Sequence, residues 1–308
     1  MGLIPPSERN VPIIIAEPWM QIVTEPCILE APAFDREGNF FLTHTGGTIY
    51  KVDRDGKIRA IFEDRSCITA GIAIHRDGRL FVVCPSGQIF TIMGDGSDRV
   101  DLTARYNGRP TMPDDLVFDA NGNLYITDIA GTPTTAPLGG VYRLSADLTT
   151  VHSITENLIT ANGISLAPRN IAGPIPAAAY QLWVSETFTN RILSIRLQED
   201  GLTPAHPSVE VVYYCMGELG PDSNAVDCEG NLYQAIVGQG RVIVFNSRGI
   251  PVAQVLVPGR DEGKSLMTTN VAFEPGTDIG VITAGGSDGG WVYRFKGLAV
   301  GEKLFSHS

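Results

Sequence analysis

The chain has 308 residues, of which 43% are hydrophobic and 19% are charged, and this composition is typical of a globular protein rather than of a disordered or fibrous one. All-β folds of this length are often single units, so we expect one domain over residues 1–308. The formal net charge of −11 disfavours contact with phosphate backbones or anionic lipid, so neither nucleic acid nor a membrane is expected as a partner.

The N-terminal residues and the cysteines indicate the cellular compartment of the protein. Residues Met1 to Glu8 lack the positive and apolar regions of a secretory signal, and no later stretch approaches the roughly 20 apolar residues of a membrane span. The cysteines are odd in number, scattered and without a C-x-x-C pair, which argues against a disulfide framework or a thiolate zinc site. We therefore expect a cytoplasmic location for the protein. We also expect free thiols at Cys27, Cys67, Cys84, Cys215 and Cys228.

One pattern recurs along the chain: an apolar residue, a short polar turn that usually contains Gly, and a strand-like run rich in aromatic and β-branched residues. Such turns and runs are typical of β-hairpins. The fourth repeat is interrupted by an Ala- and Pro-rich insertion from Ala172 to Ala179. In chain order the repeats begin at Phe34, Ile74, Phe118, Leu166, Val226 and Phe273.

The repeat period indicates the fold. Repeats of about 40 to 60 residues with about four strands each are typical of propeller blades, which remove open sheet edges by radial repetition. We predict an all-β protein, a single six-bladed β-propeller with a metal ion in its central channel. Residues 1–25 are expected to form an N-terminal segment that closes the last blade.

The predicted metal follows from one position in each repeat. If the repeats superpose, the residue four positions before each start occupies the same place in every blade, at the channel. Converging buried carboxylates repel one another unless protons or a cation intervene, and oxygen ligands suit Ca²⁺, Mg²⁺ or Mn²⁺. The alternative is a polar network filled with water. The six positions are Glu30, Ala70, Asp114, Asn162, Asp222 and Thr269, and five of them carry a side-chain oxygen.

Several sequence motifs around these positions occur together in one known protein family. They include Leu29-Glu30-Ala31-Pro32, Pro113-Asp114-Asp115-Leu116, Ala161-Asn162-Gly163-Ile164 and Gly220-Pro221-Asp222-Ser223. Together they resemble the SMP-30/gluconolactonase family, and most closely its calcium-dependent lactonases of the drug-responsive protein 35 type. The resemblance covers nearly the whole chain.

The resemblance implies roles for four residues. Glu30, Asn162 and Asp222 would bind the catalytic metal, with Ser223 as a fourth ligand, and Asp222 would also act as the acid and base. The metal would be Ca²⁺, with Mg²⁺, Mn²⁺ or Zn²⁺ as alternatives. The implied reaction opens a small-molecule lactone, a cyclic ester, through a metal-polarised carbonyl and a metal-bound water.

Departures from the family pattern concern a second, structural calcium site near the Asp-Asp motif. Tyr106 stands where an acidic ligand is expected, so we expect one metal, although the sequence leaves a second calcium open. Asp114, His44 and Thr269 are expected to line the substrate pocket.

The sequence is also compatible with two other functions. The same metal could serve hydrolysis of another electrophile, such as a phosphotriester or an activated cyclic ketone. The chain could instead be a non-enzymatic interaction propeller with a structural ion. Neither the specific substrate nor the oligomeric state is encoded in a recognisable motif.

Overall fold

A computed structural model describes residues 4–103, 105–167 and 179–308, with the side chains of 206–208 excluded. The insertion predicted in the fourth repeat lies outside the described residues, apart from Ala179. The described chain is nearly all β-structure in six blades, so the predicted six-bladed β-propeller is confirmed.

The first half of the propeller follows two N-terminal strands, β1 (Ile13–Ile15) and β2 (Glu17–Val23). Blade one consists of β3 (Leu29–Phe34), β4 (Phe40–His44), β5 (Thr48–Val52) and β6 (Ile58–Glu63). Blade two consists of β7 (Gly71–Ile74), β8 (Leu80–Cys84), β9 (Gln88–Ile92) and β10 (Val100–Leu102). A two-stranded ribbon follows, formed by β11 (Arg105–Tyr106) and β12 (Arg109–Pro110). Blade three consists of β13 (Pro113–Phe118), β14 (Leu124–Asp128), β15 (Gly139–Leu144) and β16 (Val151–Leu158).

The second half repeats this order. Blade four consists of β17 (Ala161–Ala167), β18 (Tyr180–Glu186), β19 (Arg191–Leu197) and β20 (Pro204–Tyr214). Blade five consists of β21 (Pro221–Val226), β22 (Leu232–Ile236), β23 (Arg241–Phe245) and β24 (Pro251–Leu256). Blade six contains β25 (Met267–Phe273), β26 (Ile279–Gly285) and β27 (Gly290–Lys296). Short 3-10 helices span Pro6–Glu8, Thr187–Thr189, Arg260–Glu262 and Phe305–His307, and none of the described helices is long and apolar enough to cross a bilayer.

The N-terminal strands complete the last two blades. Strand β2 pairs antiparallel with β27 as the outermost strand of blade six, with Gln21 opposite Trp291. Strand β1 adds to blade five in parallel with β24, with Ile14 opposite Val255. Blade six therefore joins strands from the two ends of the chain, and this pairing covers the edge that β27 would otherwise expose.

The six inner strands form a closed ring around the channel, because each packs beside the inner strand of the next blade. Between the blades lie apolar side chains from facing sheets. Between blades five and six, for example, the ring of Tyr233 meets that of Phe273 edge-on at a centroid distance of 4.9 Å. We call the end of the channel at which the inner strands begin the upper face, and the opposite end the lower face.

The cysteine prediction was wrong for one pair. Cys67 and Cys84 form a disulfide, with their Cα atoms 5.6 Å apart, whereas Cys27, Cys215 and Cys228 are free. The loop after blade one brings Cys67 to the end of β8, a proximity that sequence spacing does not reveal. Disulfides persist mainly in oxidising environments, so this pair does not support the cytoplasmic location that was inferred from free cysteines. That location stays a prediction.

A buried ion pair fastens the N-terminal segment to blade five. The Arg241 guanidinium is 1% exposed and lies 2.6 Å from Oε2 of Glu8, while Oε1 of Glu8 accepts a hydrogen bond from the Tyr213 hydroxyl. The Gln239 and Gln254 side chains accept hydrogen bonds from the same guanidinium. Removal of one charge would leave the other buried without its partner, which is costly.

We expect Glu8→Ala to destabilise the protein by about 3 kcal/mol or more, because Arg241 would keep its buried charge without a counter-ion. Urea unfolding followed by tryptophan fluorescence measures this loss. Glu17→Ala, at an exposed position of β2, is the matched control and should change stability by less than about 0.5 kcal/mol. Equal stability of the two variants would contradict the anchoring role.

Candidate functional site

The residues predicted to share one place in each blade all lie at the upper ends of the inner strands or immediately before them. Glu30, Asp114 and Asp222 are the second residues of β3, β13 and β21, and Asn162 is the second residue of β17. Ala70 directly precedes β7, and Thr269 is the third residue of β25. We call these six residues the upper ring.

A β-bulge coincides with the upper ring in five blades. A bulge opposes two residues to one on the neighbouring strand and re-aims side chains. Blade two is the exception, since β7 pairs with β8 without a slip and its ring residue is Ala70. The register slips lie between Glu30 and Ala33, Pro113 and Leu116, Ala161 and Ile164, Pro221 and Asn224, and Thr268 and Asn270.

Burial and two acidic neighbours perturb the carboxyl group of Glu30. Burial, followed by the negative charges of Asp222 and Asp114, holds its pKa well above the usual range. One carboxylate oxygen accepts hydrogen bonds from the Ala31 N–H at 3.1 Å and from the Asn270 amide at 3.4 Å. These two neutral donors do not offset the repulsion from two acidic groups.

The other two ring carboxyl groups are perturbed in the same direction. Burial, with the charges of Asp222 and Asp115, raises the pKa of Asp114 well above its usual value. Burial also raises the pKa of Asp222, although a hydrogen bond from Asn162 opposes this shift. Both side chains are half-buried, so they line the channel rather than pack inside a blade.

Asn162 and Ser223 meet where blades four and five approach closely. The Ser223 hydroxyl lies 3.4 Å from the Asn162 side-chain oxygen. The glycine between these strands permits the approach, because a Cβ on Gly163 would lie only 2.5 Å from the Ser223 Cα. The Ser185 hydroxyl ties the two strands further by accepting from the Gly163 N–H and donating to the Asp222 carbonyl.

Two residues of the expected substrate pocket have their side chains engaged elsewhere. The Thr269 hydroxyl is fully buried, donates to the Leu29 carbonyl at 2.6 Å and pairs with the Thr283 hydroxyl. His44 lies at the upper end of β4, where its Nδ1 accepts from the Gly46 N–H and partial burial lowers its pKa. Their contribution to substrate binding stays a prediction.

Sequence reasoning missed two polar residues that directly follow ring positions. Asp115 and Asn270 are 7% and 6% exposed, and both reach the axis of the molecule. Their signal was present in the sequence, since a polar residue after a ring position departs from the in-and-out alternation of a strand. A bulge accounts for that departure.

An axial cavity of about 100 Å³ lies below the upper ring, bordered by Asp115, Asn224 and Asn270. Its lower end reaches Leu304 of the C-terminal segment. That segment is anchored by Phe305, whose ring packs 5.0 Å from His75 and 5.4 Å from Phe118. The C-terminal segment therefore borders the lower end of the cavity.

The donor set fits a hard cation. Two carboxylates, an amide oxygen and a hydroxyl from Glu30, Asp222, Asn162 and Ser223 are the oxygen ligands that Ca²⁺ takes, and a cation would relieve the repulsion that raises the carboxyl pKa values. Within the described ranges no three His, Cys, Asp or Glu side chains gather as a ligand cluster. A metal site in the upper ring would therefore need the Asn162 amide oxygen and the Ser223 hydroxyl in addition to the two carboxylates.

Comparison with known proteins agrees with the fold and points to a reaction class. Residues 30–282 match a family model described as SMP-30/Gluconolactonase/LRE-like region. A protein named lactonase drp35, from Staphylococcus saprophyticus, is 40% identical over 312 residues, covering 98% of this chain and 93% of that protein.

Two solved structures share the fold at lower identity. A luciferin-regenerating enzyme superposes with a TM-score of 0.76 at 21% identity, covering 94% of this chain and 98% of that one. A regucalcin from Agrobacterium tumefaciens, described as a calcium-binding protein, has a TM-score of 0.74 at 18% identity, and the match covers 96% of this chain and 99% of that one.

The raised pKa values predict how the stability of the protein depends on pH. A carboxyl group whose pKa is higher in the folded than in the unfolded state binds more protons when folded, so stability falls as pH rises above about 4.5. Glu30→Gln removes one charge and keeps an oxygen for Ala31 and Asn270. We expect its melting temperature in chelator at pH 8 to exceed that of the unsubstituted protein by about 2 to 4 °C.

The gain in melting temperature should shrink towards pH 5, because protonation of Glu30 in the unsubstituted protein becomes more favourable as the pH falls. Differential scanning calorimetry at both pH values measures it. Glu229→Gln, at an exposed turn position, is the control and should show no such pH-dependent gain. A lower melting temperature for Glu30→Gln at pH 8 would contradict an electrostatic cost at Glu30.

Proposed function

We propose, from the premise that this chain belongs to the SMP-30/gluconolactonase/LRE-like family, that it is a metal-dependent lactonase whose reaction takes place at the upper ring. Its relatives at about 40% identity carry the name lactonase, which supports lactone hydrolysis as the reaction class. The observation that carries the proposal is the buried ring of acidic groups, since no charged partner among the described residues balances Glu30 and Asp222.

Glu30, Asn162, Asp222 and Ser223 would hold one divalent cation. We propose calcium, because the four side chains offer only oxygen ligands. Regucalcin, which shares the fold, is described as a calcium-binding protein. Mg²⁺, Mn²⁺ and Zn²⁺ are the alternatives. The bound cation would act as a Lewis acid that polarises the ester carbonyl and acidifies a nearby water.

Asp222 would handle the protons of the reaction. Its half-buried carboxylate lies at the upper end of β21, so it would be placed to accept the proton of the attacking water. The water oxygen bonds to the carbonyl carbon and the ring C–O bond breaks. Asp222 then returns the proton to the leaving alkoxide oxygen, and the product is an open-chain hydroxy acid.

Asp114 is proposed to face the substrate rather than the cation. Its carboxyl group is half-buried, and burial with the charges of Asp222 and Asp115 raises its pKa. This favours the protonated form, which would donate a hydrogen bond to a lactone oxygen. Such a donor would orient the neutral ring beside Asp222 without adding a charge.

Removal of the metal tests the cofactor. We expect treatment with a calcium chelator to abolish lactone hydrolysis and added Ca²⁺ to restore it, because the carbonyl would lose its Lewis acid. Acid release from a panel of lactones of different ring size, followed with a pH indicator, measures the activity. Full activity after exhaustive chelation would rule out the metal mechanism, and turnover of phosphotriesters without turnover of any lactone would rule out the assigned reaction.

Substitution tests the acid and base. We expect Asp222→Asn to lower kcat by about 100-fold or more, since an amide can neither accept nor return the proton. Asp261→Asn, which changes an exposed carboxylate of similar chemistry, should keep the activity of the unsubstituted protein. Retention of more than about a tenth of kcat in Asp222→Asn would remove Asp222 from the proton-transfer role.

A further inference from the structure

One buried hydroxyl connects two proposed ligands on blades four and five. Ser185 is the single residue of β18 that lies opposite both Asn162 and Gly163 at the bulge of blade four. Its hydroxyl accepts a hydrogen bond from the Gly163 N–H at 2.8 Å and donates one to the Asp222 carbonyl oxygen at 2.6 Å. Ser185 is fully buried, so both hydrogen bonds are shielded from solvent.

The preceding blade repeats this arrangement. Thr127 is the single residue of β14 that lies opposite both Asp114 and Asp115 at the bulge of blade three. Its fully buried hydroxyl accepts a hydrogen bond from the Asp115 N–H at 3.0 Å and donates one to the Asn162 carbonyl oxygen. In both blades the hydroxyl therefore accepts from the bulge of its own blade and donates to the upper-ring residue of the next blade.

The chemistry of a hydroxyl suits this position. A bulge interrupts the regular ladder of hydrogen bonds, so a backbone N–H on the bulge needs an acceptor outside the ladder. Serine and threonine carry a donor and an acceptor on one oxygen. One small side chain can therefore satisfy the bulge of its own blade and hold a carbonyl of the next blade at the same time.

The backbone of Asp222 is held from both sides. The Nε2 of Gln234, a fully buried residue of blade five, donates a hydrogen bond to the Asp222 carbonyl at 2.6 Å. A carbonyl oxygen has two lone pairs, and Gln234 and Ser185 occupy both of them. The position of Asp222 is therefore defined by its own blade and by blade four together.

We propose that Thr127 and Ser185 are positioning residues, whose hydroxyls hold Asn162 and Asp222 in the relative positions that one shared cation requires. This inference rests on the proposed calcium site. The Thr127 hydroxyl fixes the backbone of Asn162 relative to blade three, and the Ser185 hydroxyl fixes the backbone of Asp222 relative to blade four. Two ligands on separate blades thereby share one chain of hydrogen bonds.

Ser185→Ala is the first variant of the test. It removes the acceptor of the Gly163 N–H and one of the two donors to the Asp222 carbonyl, so Asp222 is no longer fixed relative to Asn162. We expect the calcium dissociation constant, measured by calorimetric titration of chelator-treated protein, to rise about 10- to 100-fold. Unchanged calcium affinity would overturn the role of Ser185.

Two variants of Thr127 separate the hydroxyl from the volume of the side chain, and they serve as an independent measurement should Ser185→Ala fail to fold. Thr127→Val keeps a branched side chain without the hydroxyl, and we expect its calcium dissociation constant to rise about 10- to 100-fold as well. Thr127→Ser keeps the hydroxyl and should retain the calcium affinity of the unsubstituted protein. Equal calcium affinity of the two variants would overturn the role of the Thr127 hydroxyl.

Thr268→Val is the matched control, because Thr268 makes the same two kinds of hydrogen bond away from the proposed ligands. Its fully buried hydroxyl accepts from the Arg241 N–H at 3.3 Å and donates to the Ile236 carbonyl at 2.6 Å, which connects blades five and six. We expect this variant to lose stability in chelator, as Thr127→Val does, and to keep its calcium affinity. Differential scanning calorimetry measures the stability of both valine variants.

The outcomes separate this inference from the proposed cofactor. Absence of calcium binding by the unsubstituted protein would overturn both. Calcium binding that is equally weakened in Thr268→Val and Thr127→Val would mean that any loss of a hydrogen bond between blades disturbs the site, and would overturn this inference alone. Weaker binding in Ser185→Ala and Thr127→Val, with unchanged binding in Thr268→Val and Thr127→Ser, is the expected result.

Discussion

Repulsion between buried carboxyl groups at the channel axis is the interaction on which the rest of this structure depends. Glu30, Asp114 and Asp222 each raise the pKa of a neighbour or have their own raised by one. If the inner strands could move, the carboxyl groups would separate and become hydrated. The strands are held in place because they pack in a closed ring, because β2 completes blade six, and because the Glu8–Arg241 pair fixes the N-terminal segment.

The period of the sequence predicted the architecture because each blade repeats the same local chemistry. A polar turn with Gly near Asp35, Asp119 or Asp227 ends one strand and starts the next, and the turn aspartates accept backbone N–H groups in the same way. The position four residues before the start of each repeat falls in the upper ring, because the inner strands of different blades have similar lengths. Glu30, Asp114, Asn162 and Asp222 therefore lie at the upper ends of their strands, whereas the Thr269 hydroxyl is buried and donates to the Leu29 carbonyl.

What the sequence did not reveal depends on contacts between blades. The bulges place Asp115 and Asn270 at the axis, whereas strict alternation would turn a residue next to a ring position away from it. The pairing of Cys67 with Cys84 likewise depends on how a loop crosses from blade one to blade two. The disulfide has no fixed spacing along the chain, so no periodic pattern can encode it. The two bulge residues directly follow ring positions, and only a local departure from alternation marks them.

The order of residues around the upper ring has a further meaning when it is viewed as symmetry. Acidic residues occupy blades one, three and five, and the blades between them carry Ala70, Asn162 and Thr269. A six-fold frame thus presents a three-fold pattern of charge, which is the widest spacing that three like charges can have on such a ring. A shift of any acidic residue to the neighbouring blade would bring two carboxylates side by side, so the alternation itself limits the electrostatic cost of the site.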